Sequence, residues 1–191
     1  MEKMKHKEKI EALFEKSVVV DYKSIERIVG SEYAKLLISN FLKKKTIFKI
    51  GKGFYTKHYD ISLAVFSFKP AYLGLQCALS HYGLWEQETI PVIVTTKKVR
   101  RGLRDILGGN VLIRNIDKRF FFGVNLVKEG SHYYPYSDLE KTVIDLIWFN
   151  EKIDLKILKK ILNKIDFVKF NKYLKVYDKK FQNKMRKLFK L

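Results

Sequence analysis

The chain has 191 residues, 47% hydrophobic and 14% aromatic, a globular composition that excludes a wholly disordered chain. Its formal net charge of +19 and pI near 9.8 favour a polyanionic partner, nucleic acid before an anionic membrane surface, against the plainer account of a lysine-rich composition. The one cysteine, Cys77, excludes an intrachain disulfide framework and fits a reducing compartment. No stretch is apolar enough to span a bilayer and residues 1–16 lack a signal-peptide run, so a cytoplasmic location without a membrane partner is expected.

Residues 5–16 predict a helix with an apolar stripe of Ile10, Leu13 and Phe14. Asp21 is suited to cap a short helix whose Ile25, Ile28 and Val29 fall at i, i+3 and i+4, and Gly30 is suited to end it. Ser31 is expected to cap the next helix, with Glu32 favoured by the positive end of the helix dipole. There Ala34, Leu37, Ile38 and Phe41 share one side, while Lys35, Ser39 and Lys43 face away with Leu36 and Asn40 beside them. Ile47, Phe48, Ile50, Phe54 and Tyr55 predict two short strands about the Gly51-Lys52-Gly53 turn. Helix-turn-helix followed by a hairpin is the winged-helix plan, a DNA-binding module. Lys35 and Lys43 become candidates for phosphate contact and Ser39 and Asn40 for base edges. Lys49, Lys52 and Lys57 would carry positive charge on the wing.

Asp60 to Phe68 reads as a strand or connector, so the expected domains are residues 1–59 and 60–191. Pro70 to Leu84 predicts a helix with Gly83 at its end. Residues 90–96, 111–116, 119–127 and 132–136 predict strands. Ser137 with Glu140 has the spacing of a capping box opening a helix through Phe149. Residues 151–191 carry 14 Lys/Arg against 4 Asp/Glu, +10 of the +19 total, with helical spacing and no internal repeat. The expected class is α+β: an N-terminal winged helix-turn-helix, then a mixed α/β domain with a basic helical C-terminus.

Four scattered histidines (His6, His58, His81, His132) lack metal-ligand spacing, and no nucleophile triad, phosphate loop or dinucleotide fingerprint is present. No catalytic residue, metal or cofactor is therefore expected. Asp138, Glu140 and Asp145 invite a paired-carboxylate reading, but first-turn carboxylates at a helix N-terminus account for Asp138 and Glu140. Lys97, Lys98, Arg100, Arg101 and Arg104 form a second basic group, read as a loop contacting phosphate or an acidic partner, or simply as a solvated loop.

The order of these motifs resembles the AbiE-type antitoxin and transcriptional regulator family. The matching residues are Gly53-Phe54-Tyr55 in the wing, Ala78-Leu79 with Gly83-Leu84, and Glu140-Lys141 with Asp145-Leu146. The resemblance runs along nearly the whole chain through short motifs, and the lysine-rich C-terminal segment is heavier than the family pattern. It implies the antitoxin half of a type IV toxin–antitoxin pair, with a winged helix that represses its own promoter on double-stranded DNA. It also implies a C-terminal domain that neutralises a cognate nucleotidyltransferase-like toxin. By position on the motif, the DNA-contact role passes to Lys35, Ser39, Asn40, Lys43 and Lys52. The alternative reading is an RNA-binding or general nucleic-acid-binding basic protein with no toxin partner.

Overall fold

The computed structural model describes residues 2–189 and is a mixed α+β structure. Its backbone contacts divide into two units, one running to Lys69 and including Leu103–Val111, the other formed by Pro70–Gly102 and the chain from Leu112 onward.

In the first unit, α1 (Glu2–Lys16) is followed by β1 (Val20–Asp21), α2 (Tyr22–Val29), α3 (Ser31–Lys43), β2 (Phe48–Gly51) and β3 (Phe54–Thr56). Asp21 caps α2 as its sequence suggests, accepting from the Ser24 amide at 3.0 Å. Gly30 has φ +82°, a conformation cheap only without a Cβ, and turns the chain sharply between α2 and α3. It is also the N-cap of α3, so Ser31 is the first helical residue and does not cap as expected. The apolar sides of the three helices close on one another through Ile10, Phe14, Ile25, Ala34, Leu37, Ile38 and Phe41. The strands form an antiparallel sheet in the order β1-β3-β2. At two residues, β1 is too short to betray itself by alternation.

Residues Ile61–Phe68 form a 3-10 helix, against the expected strand or connector. The Asp60 carboxylate accepts from the Ser62 amide at 2.8 Å and nucleates that turn. Ser67 Oγ then donates to the Ala64 carbonyl at 2.8 Å.

The second unit begins with β4 (Ala71–Leu73), where the sequence reads as the start of a helix. All three residues of this central strand are buried, so no period-2 signal survives to distinguish it. Helix α4 spans only Leu75–His81. It ends with Gly83 at φ +65°, whose amide meets the Ser80 carbonyl while the Leu84 amide meets that of Leu79. Next in the chain come β5 (Val92–Thr95), β6 (Gly102–Ile106) and β7 (Gly109–Asn115), of which β6 from Leu103 and β7 as far as Val111 count with the first unit. Lys118–Phe120 is a 3-10 turn and not the opening of a strand, because Asp117 accepts from the Arg119 amide at 3.0 Å. Strand β8 (Val124–Glu129), strand β9 (His132–Ser137) and helix α5 (Leu139–Trp148) follow. The sheet order is β6-β7-β5-β4-β9-β8, with β5 parallel to β7 and β4 parallel to β9.

The C-terminal segment forms α6 (Leu155–Leu162), α7 (Phe167–Leu174) and α8 (Lys179–Phe189). Asp154 and Asp166 are the N-caps of α6 and α7, and Asp178 accepts from the Phe181 amide at the start of α8. These acids recur every twelve residues, so the segment is a three-fold helix-turn repeat, against the expectation of no internal repeat. Ile161, Ile165, Phe170, Leu174, Tyr177, Phe181, Met185 and Phe189 are buried, and the intervening lysines other than Lys169 line the exposed side.

Candidate nucleic-acid interface

Helix α3 divides as its spacing requires. Ala34, Leu37, Ile38 and Phe41 are buried, whereas Lys35, Leu36, Ser39, Asn40 and Lys43 are exposed. Leu36 is 54% exposed, an apolar side chain left on an otherwise polar face. Among the described residues, no carboxylate pairs with Lys35 or Lys43. The helix ends in a hydrogen-bonded reversal, Lys45 N to Leu42 O at 3.0 Å and Thr46 N to Phe41 O at 3.0 Å, with Lys45 at φ +54°. This reversal feeds the chain straight into β2.

At the hairpin, Lys52 is exposed at the turn and Lys49 is exposed on β2. Gly51 stands where any Cβ would fall 2.4 Å from Ser67 Oγ, so the 3-10 segment fixes the base of the hairpin. Lys57 behaves differently from the other candidates: it is half-buried and forms an ion pair with Glu15 of α1. The lysine depresses the Glu15 carboxyl pKa through this hydrogen bond and its charge. Lys57 thus ties α1 to the hairpin, whereas Lys49 and Lys52 meet no acidic partner among the described residues.

The second basic group is split. Lys97, Lys98, Arg100 and Arg101 occupy the connection after β5, whereas Arg104 lies inside β6, with its guanidinium 5.4 Å from the Phe68 ring centroid. The expected single loop of five cations is therefore a four-residue group plus one strand residue. It ends where glycine-led strand pairing begins, a boundary that charge alone does not mark.

The carboxylates of α5 are more closely engaged than first-turn placement implies. Asp138, and not Ser137, is the N-cap, accepting from the Lys141 amide at 2.8 Å, because Ser137 still belongs to β9. Lys169 Nζ lies 3.0 Å from Asp138 and 2.9 Å from Glu140, so the two carboxylates converge on one cation. Burial opposes the charge on Lys169, but hydrogen bonds to Glu140 and Asp138 outweigh it and raise its pKa. Deeper in, Lys141 pairs with Asp145, and both side chains are wholly buried. Tyr72 donates to Asp145 at 2.6 Å, and Tyr177 lies 3.3 Å from Lys141 Nζ. Burial pushes the Lys141 pKa down and the Asp145 carboxyl up. With no solvent access to Lys141 or Asp145, this network ties α5 to β4 and to the C-terminal helices.

Among the described residues, no group of three or more His, Cys, Asp or Glu could hold a metal ion, and no helix is long and apolar enough to cross a membrane. No protein-family model matches the chain, and no curated protein matches its sequence.

Proposed function

We propose that the chain is a DNA-binding transcriptional regulator of antitoxin type and not an enzyme, its first unit a winged helix-turn-helix on double-stranded DNA. The observation that carries this reading is the α3 face, solvated and cationic, beside a hairpin whose turn presents Lys52. The order helix, strand, helix, helix, hairpin with the β1-β3-β2 sheet supports the same plan. In this reading α3 enters a major groove, Lys35 and Lys43 meet phosphates, Ser39 and Asn40 meet base edges, and Lys49 and Lys52 follow the flanking backbone. Lys57 drops from the contact set because Glu15 already holds it. The antitoxin role, autorepression in the cytoplasm and neutralisation of a nucleotidyltransferase-like toxin, rests on the motif resemblance.

A second reading is favoured by the exposed lysines of α6, α7 and α8: a general grip on RNA or any polyanion. One titration separates the two. Binding to the duplex upstream of the chain's own gene is compared with a scrambled duplex and single-stranded RNA across a salt series. Preference for the native duplex that survives near-physiological salt is the expected result. Equal, steeply salt-dependent binding to all three would overturn sequence-specific regulation.

A further inference from the structure

A cavity of about 440 Å³ lies in the second unit, lined by Val99, Arg100, Arg101, Arg114, Asn115 and Phe149. No carboxylate is in that lining. The cavity sits at the C-terminal ends of the parallel strands β5 and β7, whose register sets Val94 opposite Arg114 and Thr95 opposite Asn115. Such strand ends are where open α/β sheets characteristically leave room for ligands.

The walls are fixed by specific bonds. Thr95 Oγ1 accepts from the Lys97 amide at 3.0 Å, and Asn115 Nδ2 donates to the Val99 carbonyl at 2.6 Å. These contacts tie the connection carrying Arg100 and Arg101 back to the strand ends. On the other side, α5 stops at Phe149, Asn150 takes φ +55°, and the Glu151 amide returns to the Leu146 carbonyl at 2.8 Å. This reversal brings Glu151 Oε1 to 2.6 Å from Arg114 Nη2, and Gln76 holds the other Glu151 oxygen at 3.1 Å. The Arg114 guanidinium is thereby clamped, 5.9 Å from the Phe149 ring centroid. Its Nε is buried and meets no hydrogen-bond partner among the described residues. A buried charged N–H without an acceptor is costly to leave unmet. Glu151 offsets the charge of Arg114, and Arg101 adds an exposed guanidinium to the lining.

We propose that this cavity binds a nucleoside 5′-phosphate, with the phosphate on the arginines and the base against Phe149. Guanidinium forks match phosphate oxygens bidentately, Phe149 supplies a flat apolar surface, and the volume falls within the range of small-ligand sites. The site is distinct from the α3 face, and its existence does not depend on the DNA reading.

The test is calorimetric titration of the full chain with adenosine 5′-monophosphate, adenosine and inorganic phosphate at fixed ionic strength. The monophosphate is expected to bind more tightly than either fragment. Arg101→Gln, which alters an exposed side chain, is expected to weaken monophosphate binding about tenfold or more. Lys172→Gln, the same charge change on an exposed site of α7, is expected to leave binding unchanged. Phe149→Leu is expected to reduce monophosphate affinity toward that of inorganic phosphate. Equal weakening by Arg101→Gln and Lys172→Gln would overturn the site, since it would report only diffuse attraction to a +19 chain. Affinity for the monophosphate no better than for phosphate would overturn the role of Phe149 and the nucleoside with it. Binding of a 5′-phosphorylated oligonucleotide but no free nucleotide would overturn it equally.

Discussion

Lys141 and Asp145, one helical turn apart on α5, form an ion pair from which solvent is wholly excluded. Two tyrosines complete it, Tyr72 on the carboxylate and Tyr177 near the ammonium. Taking both ions out of water is expensive, and their attraction repays the cost only while both are present. Lys141→Met or Asp145→Asn should therefore each destabilise the fold by about 3–5 kcal/mol. The double replacement Lys141→Met with Asp145→Leu should recover part of that loss, leaving the phenols of Tyr72 and Tyr177 without their ionic partners. Urea denaturation followed by tryptophan fluorescence, from Trp85 and Trp148 together, measures this. Single losses near zero would mean that the pair contributes nothing to the packing of α5.

The neighbouring Tyr173 predicts an alkaline weakness. Burial and its 2.8 Å hydrogen bond to Asp138 raise the Tyr173 pKa from 10.0 to about 12. The unfolded chain releases this proton near the ordinary value and the folded chain holds it longer. The associated stability is complete below pH 10 and lost as pH rises through about 12. Lys169, raised by Glu140 and Asp138, acts in the same direction at higher pH. Tyr173→Phe should flatten the fall of stability over that window, measured by urea midpoints at a series of alkaline pH values. Parallel curves for both proteins would remove Tyr173 from the linkage.

What the sequence reveals and what it hides follow from burial and range. The stripes of α2 and α3 are legible because each helix has one buried and one solvated side, and Gly30 punctuates them. Strand β4 is hidden because Ala71, Tyr72 and Leu73 are all buried, so a strand and a helix look alike there. The three consecutive phenylalanines, Phe120 to Phe122, resemble a strand but serve an aromatic cluster: Phe120 stacks on Tyr177 at 4.3 Å and Phe122 meets Tyr173 at 4.8 Å. At the α3 face, side-chain type and spacing suffice to nominate Lys35, Ser39, Asn40 and Lys43. The diversion of Lys57 to Glu15 spans 42 residues, and no local pattern carries it. Convergence of Asp138 and Glu140 on Lys169 is likewise a tertiary event. The twelve-residue spacing of Asp154, Asp166 and Asp178 was available in the sequence, but its apolar positions vary too much to announce a repeat.

Lys45 occupies a left-handed conformation, φ +54°, at the hydrogen-bonded end of α3. A side chain with a Cβ costs about 1 kcal/mol there, which glycine avoids. Lys45→Gly should raise stability by up to about 1 kcal/mol, read as a higher urea midpoint at unchanged slope. A lower midpoint would show that the lysine side chain contributes more than the strained backbone costs.

Two lysines of the hairpin region separate a DNA surface from a merely basic one. Lys52 is exposed at the turn with no acidic partner among the described residues, whereas Lys57 is held by Glu15. If the hairpin follows a phosphate backbone, Lys52→Gln removes one released counterion. The slope of log K against log salt should then shrink by about 1 on any duplex. Lys57→Gln should leave that slope almost unchanged, since its charge is already compensated. Asn40→Ala, in the middle of the exposed α3 face, should instead cost roughly 1–3 kcal/mol on the specific duplex and nothing on a scrambled one. Together the three variants test geometry as well as charge, because Lys52 and Lys57 lie five residues apart and carry the same formal charge. Equal effects of Lys52→Gln and Lys57→Gln would show that only net charge matters and would remove the hairpin from the interface. Equal losses for Asn40→Ala on both duplexes would remove α3 from base readout.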